Sequence, residues 1–310
     1  MALIFNMQRI LITGSSGYLG SQLVKCFCDL GYHVIGGIRK NSNLWRLGGY
    51  EKKIQIANLD DPRHIEGILR KTKIDFIIHT ACAYGRTKGT EIEVFKANIE
   101  LPIRLAEIAR KQEGTVFINT DTFFAKPEFE IGYMGAYVLS KRHSWEWLQL
   151  YKKEIKLINM RLEHVYGPSD DHSKFVSWLC NIAQGEGDEP NEVVLSSCSQ
   201  LRDFVYIDDV VSAFVKTVRE VNFVNSGDIF EVGTGKAIPV RSLVEHIQMS
   251  AIKNGKSGIK PRFDSSKDRT GEIVKSTANT SALKGLGWRP MVPLSEGIER
   301  LFRAELNDKK

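Results

Sequence analysis

Tyr137 and Lys141 bracket the string Tyr137-Val-Leu-Ser-Lys141, a spacing that puts both side chains on one face of a helix. An ammonium beside a phenol favours the phenolate and lowers its pKa. The phenol is then equipped to give a proton to a ketone oxygen, or to take one in reverse. Upstream, the apolar run Val116–Ile118 leads into Asn119-Thr120-Asp121, where the Thr120 hydroxyl can serve the same oxygen. Tyr-x-x-x-Lys alone is common by chance. Its place after a strand and a hydroxyl makes Thr120, Tyr137 and Lys141 candidate catalytic residues.

Such chemistry needs a hydride carrier, and the N-terminal region offers a place for one. Ile12-Thr-Gly-Ser-Ser-Gly-Tyr-Leu-Gly20 sets Gly14, Gly17 and Gly20 three apart, between a strand-like run and a helix-like run. Glycine there allows a tight turn, close approach of backbone to a pyrophosphate, and close helix–sheet contact. The helix N-terminus then meets the phosphates with unpaired N–H groups and partial positive charge. Gly14, Ser16, Gly17, Tyr18, Leu19 and Gly20 are therefore the expected dinucleotide cradle. The next run, His33–Ile38, ends in Arg39 and Lys40 with no acid beside them. An acid there would bind ribose hydroxyls, whereas a basic residue pairs with a 2′-phosphate, so Arg39 points to NADP(H).

The elements that must carry these residues alternate. Ile10–Ile12, His33–Ile38, Ile54–Ala57, Phe76–His79 and Val116–Ile118 read as strands; Leu19–Leu30, Arg63–Lys71 and Glu91–Lys111 read as helices. The pattern predicts an α/β fold, a Rossmann doubly wound parallel sheet with ligands at the strands' carboxyl ends. A helix from Tyr137 to about Lys153 and a strand at Leu157–Arg161 follow. After Pro168 come a helix at Phe175–Ala183, a polar loop at Gly185–Asn191 and a short strand at Val193–Ser196. Phe204–Ile207, a helix at Asp209–Val221 and a strand at Ile229–Val232 read as a return to the sheet. The expected division is a dinucleotide-binding domain over 1–168 with 203–235 returning to it. A smaller C-terminal substrate lobe takes 169–202 and 236–310.

Bulk properties narrow the classes. The chain has 310 residues, 42% apolar and 26% charged, as in an ordinary soluble globular protein. No run is long enough to cross a bilayer and no signal peptide is evident, so a cytoplasmic location and no membrane partner are expected. The net charge of +6 favours anionic ligands, yet basic residues are dispersed without interleaved aromatics, against nucleic acid. The five cysteines are scattered and suit neither disulfides nor a zinc site; no metal is expected.

The glycine turn, the hydroxyl and the Tyr-x-x-x-Lys string together resemble the extended short-chain dehydrogenase/reductase family of nucleotide-sugar epimerases, dehydratases and reductases. The resemblance spans essentially the whole chain. It includes Asn58-Leu59-Asp60, His79-Thr-Ala-Cys-Ala83, Asn98, Arg161–Pro168, Arg202–Val210 and Gly285-Leu-Gly-Trp-Arg-Pro290. It implies that Asn58 and Leu59 border the adenine, that Thr80, Ala81 and Leu162 border the cofactor, and that Asn98 lies near the active site. It places Asp121, Thr122 and His164 by the substrate, and Arg202 and Arg269 on a nucleotide diphosphate, for which planar guanidinium forks are suited. A homodimer is also implied.

Ile118-Asn-Thr-Asp-Thr-Phe-Phe-Ala-Lys126, Asn159–Pro168 and Gln200–Asp209 are closer still to the CDP-abequose and CDP-paratose synthase group. That group reduces CDP-4-dehydro-3,6-dideoxyglucose at C4 with NADPH, in O-antigen sugar synthesis. Asp121 is followed by Thr122 where family dehydratases carry Asp-Glu, which disfavours dehydration. His164 replaces the usual asparagine; it touches substrate or simply packs. The competing readings are a nucleotide-sugar 4-epimerase with tightly held NAD, and a non-catalytic NADP-sensing protein.

Overall fold

The computed structural model describes residues 7–85, 90–132, 134–185 and 191–308. The polar loop read at Gly185–Asn191 lies, between its ends, outside the described residues. Six strands come first: β1 (Arg9–Thr13), β2 (His33–Ile38), β3 (Gln55–Asn58), β4 (Phe76–His79), β5 (Val116–Thr122) and β6 (Lys156–Leu162). They are followed by β7 (His164–Tyr166), β8 (Asn191–Leu195), β9 (Leu201–Arg202), β10 (Phe204–Tyr206) and β11 (Asp228–Val232). Strands β12 (Ile238–Pro239) and β13 (Ile259–Phe263) complete the set.

A seven-stranded sheet runs β11-β6-β5-β4-β1-β2-β3. The pairings of β1 with β2 and β4, of β2 with β3, and of β4 with β5 are parallel, as crossover helices require. The order reverses between β1 and β4, where Thr13 stands beside His79. That reversal opens the crevice in which doubly wound sheets hold ligands. The expected Rossmann architecture is what the chain adopts.

The sheet strands are nearly continuous apolar runs because helices cover both faces. On one face Leu11, Ile35, Ile77, Phe117 and Leu157 pack with Ile65, Ile68 and Leu69 of helix α2 (Pro62–Lys71). The first helix, α1 (Tyr18–Asp29), buries Leu23, Val24 and Phe27. The helix read over Glu91–Lys111 is interrupted: α3 (Glu91–Phe95), a π-helical segment Lys96–Glu100, then α4 (Leu101–Ala109). Pro102, in the first turn of α4, has no N–H for the carbonyl of Asn98 and would crowd it, so the helix widens there. Helix α5 (Gly135–Leu148) carries the candidate pair and stops short of the predicted Lys153.

The chain divides into two compact units, Met1–Arg161 with Phe214–Phe230, and Leu162–Ala213 with Glu231–Lys310. Segments 162–168, 203–213 and 231–235 thus group with the second unit, where the sequence division had put them in the first. One further reading is corrected. Phe204–Tyr206 does not rejoin the central sheet; β10 pairs in parallel with β7, with Phe204 beside His164. Its three residues are all buried, and an apolar run of that length does not say which strand it will join. Of the returning segments, only β11 enters the seven-stranded sheet.

Candidate active site

The glycine turn is closed by contact of backbone with backbone. Gly14 takes φ +70°, and a Cβ on it would stand 2.8 Å from the Ala81 backbone. At Gly20 a Cβ would meet the Gly14 carbonyl oxygen at 2.1 Å, and at Gly17 at 3.0 Å. The Gly17 N–H donates to Gly14 O at 2.8 Å, and Gly17 caps α1 without any side chain on the helix N-terminus. No acid lies in the first turn of α1. Such an end, bare of side-chain caps and approachable by backbone, suits a pyrophosphate. These residues fit a dinucleotide.

Around the turn, β1 and β4 are tied together at their carboxyl ends. Thr80 donates its hydroxyl to Thr13 O at 2.7 Å, and the Ala81 N–H donates to Thr13 Oγ1 at 3.3 Å. Thr13 Oγ1 also lies 2.8 Å from His79 Nδ1. Burial, and secondarily the charge of Lys141, pushes the His79 imidazole down to about 3. It is neutral at ordinary pH.

At the far end of the turn Arg39 and Lys40 are exposed after β2. The backbone N–H of Arg39 donates to Ser42 Oγ at 3.1 Å, and that of Lys40 to the Asp60 carboxylate at 2.8 Å. Asp60 therefore brings an acid to this turn from the next strand's end, which sequence reading did not foresee. Asn58 spends its side-chain oxygen locally, accepting the Asp60 N–H at 3.0 Å. Leu59 packs beneath Gly37, where a Cβ would come within 2.9 Å of it.

Strand β5 continues to Thr122, so Thr120 lies within it rather than beyond its end. Lys141 Nζ donates to the Thr120 carbonyl oxygen at 2.6 Å, binding α5 to that strand. Tyr137 and Lys141 are both buried. The Thr120 hydroxyl is a buried polar atom with no hydrogen-bond partner among the described residues. Buried side-chain hydroxyls without a partner are uncommon in folded proteins. The entry to α5 is strained as well, since Met134 takes φ +59° at its N-cap.

Two residues absent from the sequence expectation support Tyr137. The ring of Tyr84 packs on that of Tyr137 with centroids 4.9 Å apart and planes at 33°. Ser140 donates its hydroxyl to Tyr137 O at 2.7 Å and accepts from Asn98 Nδ2 at 2.9 Å. Asn98 also bonds both the N–H and the carbonyl of Ala83, at 2.8 and 2.9 Å. The widened helical turn thus aims one amide at both the loop after β4 and the helix of Tyr137. The position of Tyr84 just past the carboxyl end of β4 was the available signal.

Strand alternation turns Asn119 and Asp121 to the face opposite Thr120. There Asn119 Nδ2 donates to Asn159 Oδ1 at 2.8 Å, and Asn159 Nδ2 to Asp121 Oδ2 at 2.9 Å. Arg161 Nε donates to the same Asp121 oxygen at 3.1 Å, while Asp121 Oδ1 accepts the Thr122 N–H at 2.8 Å. Asp121, expected beside the substrate, has both oxygens engaged in this buried network; it holds β5 from behind. Thr122 Oγ1 accepts from Phe124 N at 3.4 Å and is likewise turned to local structure.

In the second unit, Leu162 is half-buried at the end of β6. His164 Nδ1 is buried, its ring lies 5.6 Å from that of Phe204, and burial together with the Arg202 charge pushes it down to about 3. Arg202 is buried, donating from Nη1 to Leu201 O at 2.9 Å and from Nη2 to Glu272 Oε1 at 3.1 Å. Arg269 is exposed. Among the described residues no group of three or more His, Cys, Asp or Glu could hold a metal ion, and no helix is long and apolar enough to cross a membrane.

Residues 10–233 match the NAD dependent epimerase/dehydratase family. The chain belongs to this family. Within it, the chain is 30% identical over 309 residues to a protein of Salmonella typhimurium named CDP-abequose synthase, covering 96% of this chain and 99% of that one. It is 34% identical over 299 residues to a CDP-abequose synthase of Salmonella muenchen, covering 95% and 97%. The fold is shared with solved structures. A UDP-glucose 4-epimerase from Thermotoga maritima superposes with a TM-score of 0.81 at 22% identity, covering 98% of this chain and 100% of that one.

Proposed function

We propose that the chain reduces the C4 ketone of a CDP-4-dehydro-3,6-dideoxyhexose with NADPH, giving CDP-abequose or CDP-paratose for O-antigen dideoxysugar synthesis. The tie from Lys141 to Thr120 supports the reaction type, because it brings a cation to the strand whose hydroxyl is buried and unspent. The choice of sugar nucleotide rests on the two full-length relatives named CDP-abequose synthase.

Gly14, Ser16, Gly17, Tyr18, Leu19 and Gly20 would cradle the pyrophosphate, with Thr80, Ala81 and Leu162 along the cofactor. Asn58 and Leu59 would border the adenine and Arg39 would pair with the 2′-phosphate. A bound nicotinamide supplies hydride to the ketone carbon. Tyr137 gives its phenolic proton to the ketone oxygen as negative charge develops there. Thr120 donates a hydrogen bond to the same oxygen, stabilising that charge. Lys141 holds the phenol in a state fit for proton transfer, with one ammonium proton already fixed on Thr120 O. Arg202 and Arg269 would grip the diphosphate, and a homodimer would be the working form.

The test is incubation of the purified protein with CDP-4-dehydro-3,6-dideoxyglucose and NADPH, with NMR assignment of C4. Consumption of one NADPH per new secondary alcohol supports the proposal. Protein that arrives with NAD bound and epimerises UDP- or CDP-hexoses without added NADPH would replace it with the 4-epimerase reading.

A further inference from the structure

Arg202 is a buried cation on which two acids act. Its Nη2 pairs with Glu272 Oε1 at 3.1 Å, with side-chain exposures of 7% and 28%. Glu163, the other acid whose charge acts on Arg202, is buried and accepts the Ser276 hydroxyl on Oε2 at 2.7 Å. Glu163 is thus fixed in the interior, whereas Glu272 reaches Arg202 from a more open segment. Backbone bonds hold that segment's neighbours in register, Leu201 N to Val274 O at 2.8 Å and Ser276 N to Leu201 O at 3.1 Å. The same Glu272 carboxylate oxygen also accepts from Gln200 Nε2 at 3.3 Å.

A buried guanidinium stripped of its counter-charge is strongly destabilising, so the substrate-free protein needs an anion on Arg202. We infer that Glu272 is a stand-in anion for the substrate's diphosphate: it neutralises Arg202 until a nucleoside diphosphate takes its place. This rests on the reading of Arg202 as a diphosphate-binding residue. The exchange sets specificity. A diphosphate replaces the charge that Glu272 withdraws, while an uncharged nucleoside cannot, and so leaves the pair unbroken. Keeping a like-charged carboxylate at the site also weakens diphosphate binding, an affinity cost that the protein accepts in return for a neutralised resting state.

The test is titration calorimetry with CDP and with cytidine against the wild type, Glu272→Gln, Gln200→Met and Arg202→Gln, each checked by thermal melting. Glu272→Gln keeps a hydrogen-bonding carbonyl but removes the competing charge. It should bind CDP about tenfold tighter, the size of one displaced charge-assisted contact, with cytidine unchanged. Gln200→Met, which loosens Glu272 without removing its charge, should give a smaller gain of the same kind and serves if Glu272→Gln does not fold. No gain in CDP affinity, or an equal gain for cytidine, overturns the stand-in role. If in addition Arg202→Gln binds CDP weakly, the diphosphate reading survives that loss. If Arg202→Gln binds CDP as well as the wild type, the diphosphate reading of Arg202 fails and the stand-in role falls with it.

Discussion

Lys141 reaches across from α5 to place its ammonium on the backbone carbonyl of Thr120, 2.6 Å away. The bond uses one of three ammonium protons and leaves the others for phenol and cofactor. It joins a helix residue and a strand residue that the sequence separates by 21 positions. Lys141→Met should therefore lose both the charge and the tether. We expect turnover to fall by a factor on the order of a hundred or more, with Lys141→Arg recovering part of it. Steady-state kinetics on folded variants decide this, and a Lys141→Met enzyme within a few-fold of wild type would exclude the lysine from the mechanism.

The glycines predict a graded series. Gly20→Ala drives a Cβ to 2.1 Å from a carbonyl oxygen, which neither α1 nor β1 can yield without moving. It should lower the melting temperature sharply or prevent folding. Gly17→Ala asks for a shift of a few tenths of an ångström only, since its Cβ would stand 3.0 Å from Gly14 O. That variant should fold yet bind dinucleotide poorly, because the methyl occupies the approach of the pyrophosphate. Melting curves with and without NADPH separate the two outcomes.

Asp121 holds Arg161 in a pair whose side chains are 1% and 11% exposed, respectively. Asp121→Ala removes the buried carboxylate to which Arg161, the Asn159 amide and the Thr122 N–H all donate. A loss of about 3–5 kcal/mol is expected in denaturant unfolding. Asp121→Asn, which retains an acceptor for the Thr122 N–H, should lose less. A variant as stable as the wild type would show that the network contributes nothing to holding β5.

Acid should destabilise the fold through two imidazoles. His79 and His164 are both lowered from 6.5 to about 3, first by burial and then by the charges of Lys141 and Arg202 respectively. The native state thus binds fewer protons than the unfolded chain. Their contribution is complete above pH 6.5 and drains as pH falls toward 3, by up to about 1.4 kcal/mol per pH unit for each imidazole. Unfolding free energies measured from pH 7 to pH 4 should show this slope, and His79→Gln should flatten it.

Much of this site could be read from sequence because its key elements are local patterns. His33–Ile38 and Phe76–His79 have the predicted bounds: each is a short apolar run closed by polar residues, as buried parallel strands are. The glycine turn and Tyr137–Lys141 needed only spacing. What escaped was decided by tertiary partners. Asn119-Thr-Asp reads as the tip of a strand ending at Ile118, yet stays within the strand, where Asn159 and Arg161 of β6 bond the side chains of Asn119 and Asp121. The role of Asn98 depends on a helical register that changes at Pro102, and Tyr84 acquires meaning only when its ring meets Tyr137. Arg202 was visible as a cation, but its partner Glu272 lies 70 residues away.

On the NADP(H) reading proposed above, cofactor choice would fall to Arg39, exposed at the end of β2. Arg39→Ala should weaken NADPH by about tenfold or more while leaving NADH nearly unchanged, since only the 2′-phosphate would contact it. Asp60, held against the Lys40 N–H, is the competing group. Equal losses for both cofactors would transfer discrimination away from Arg39.

The most direct measurement is single-turnover oxidation of NADPH by excess enzyme with the 4-keto sugar nucleotide, comparing wild type with Tyr137→Phe. With the buried Tyr137 one helical turn from the buried Lys141, the proposed proton transfer predicts that Tyr137→Phe binds cofactor normally yet transfers hydride slower by a factor on the order of a hundred or more. Hydride transfer at the wild-type rate in Tyr137→Phe would contradict the assignment of proton transfer to this residue.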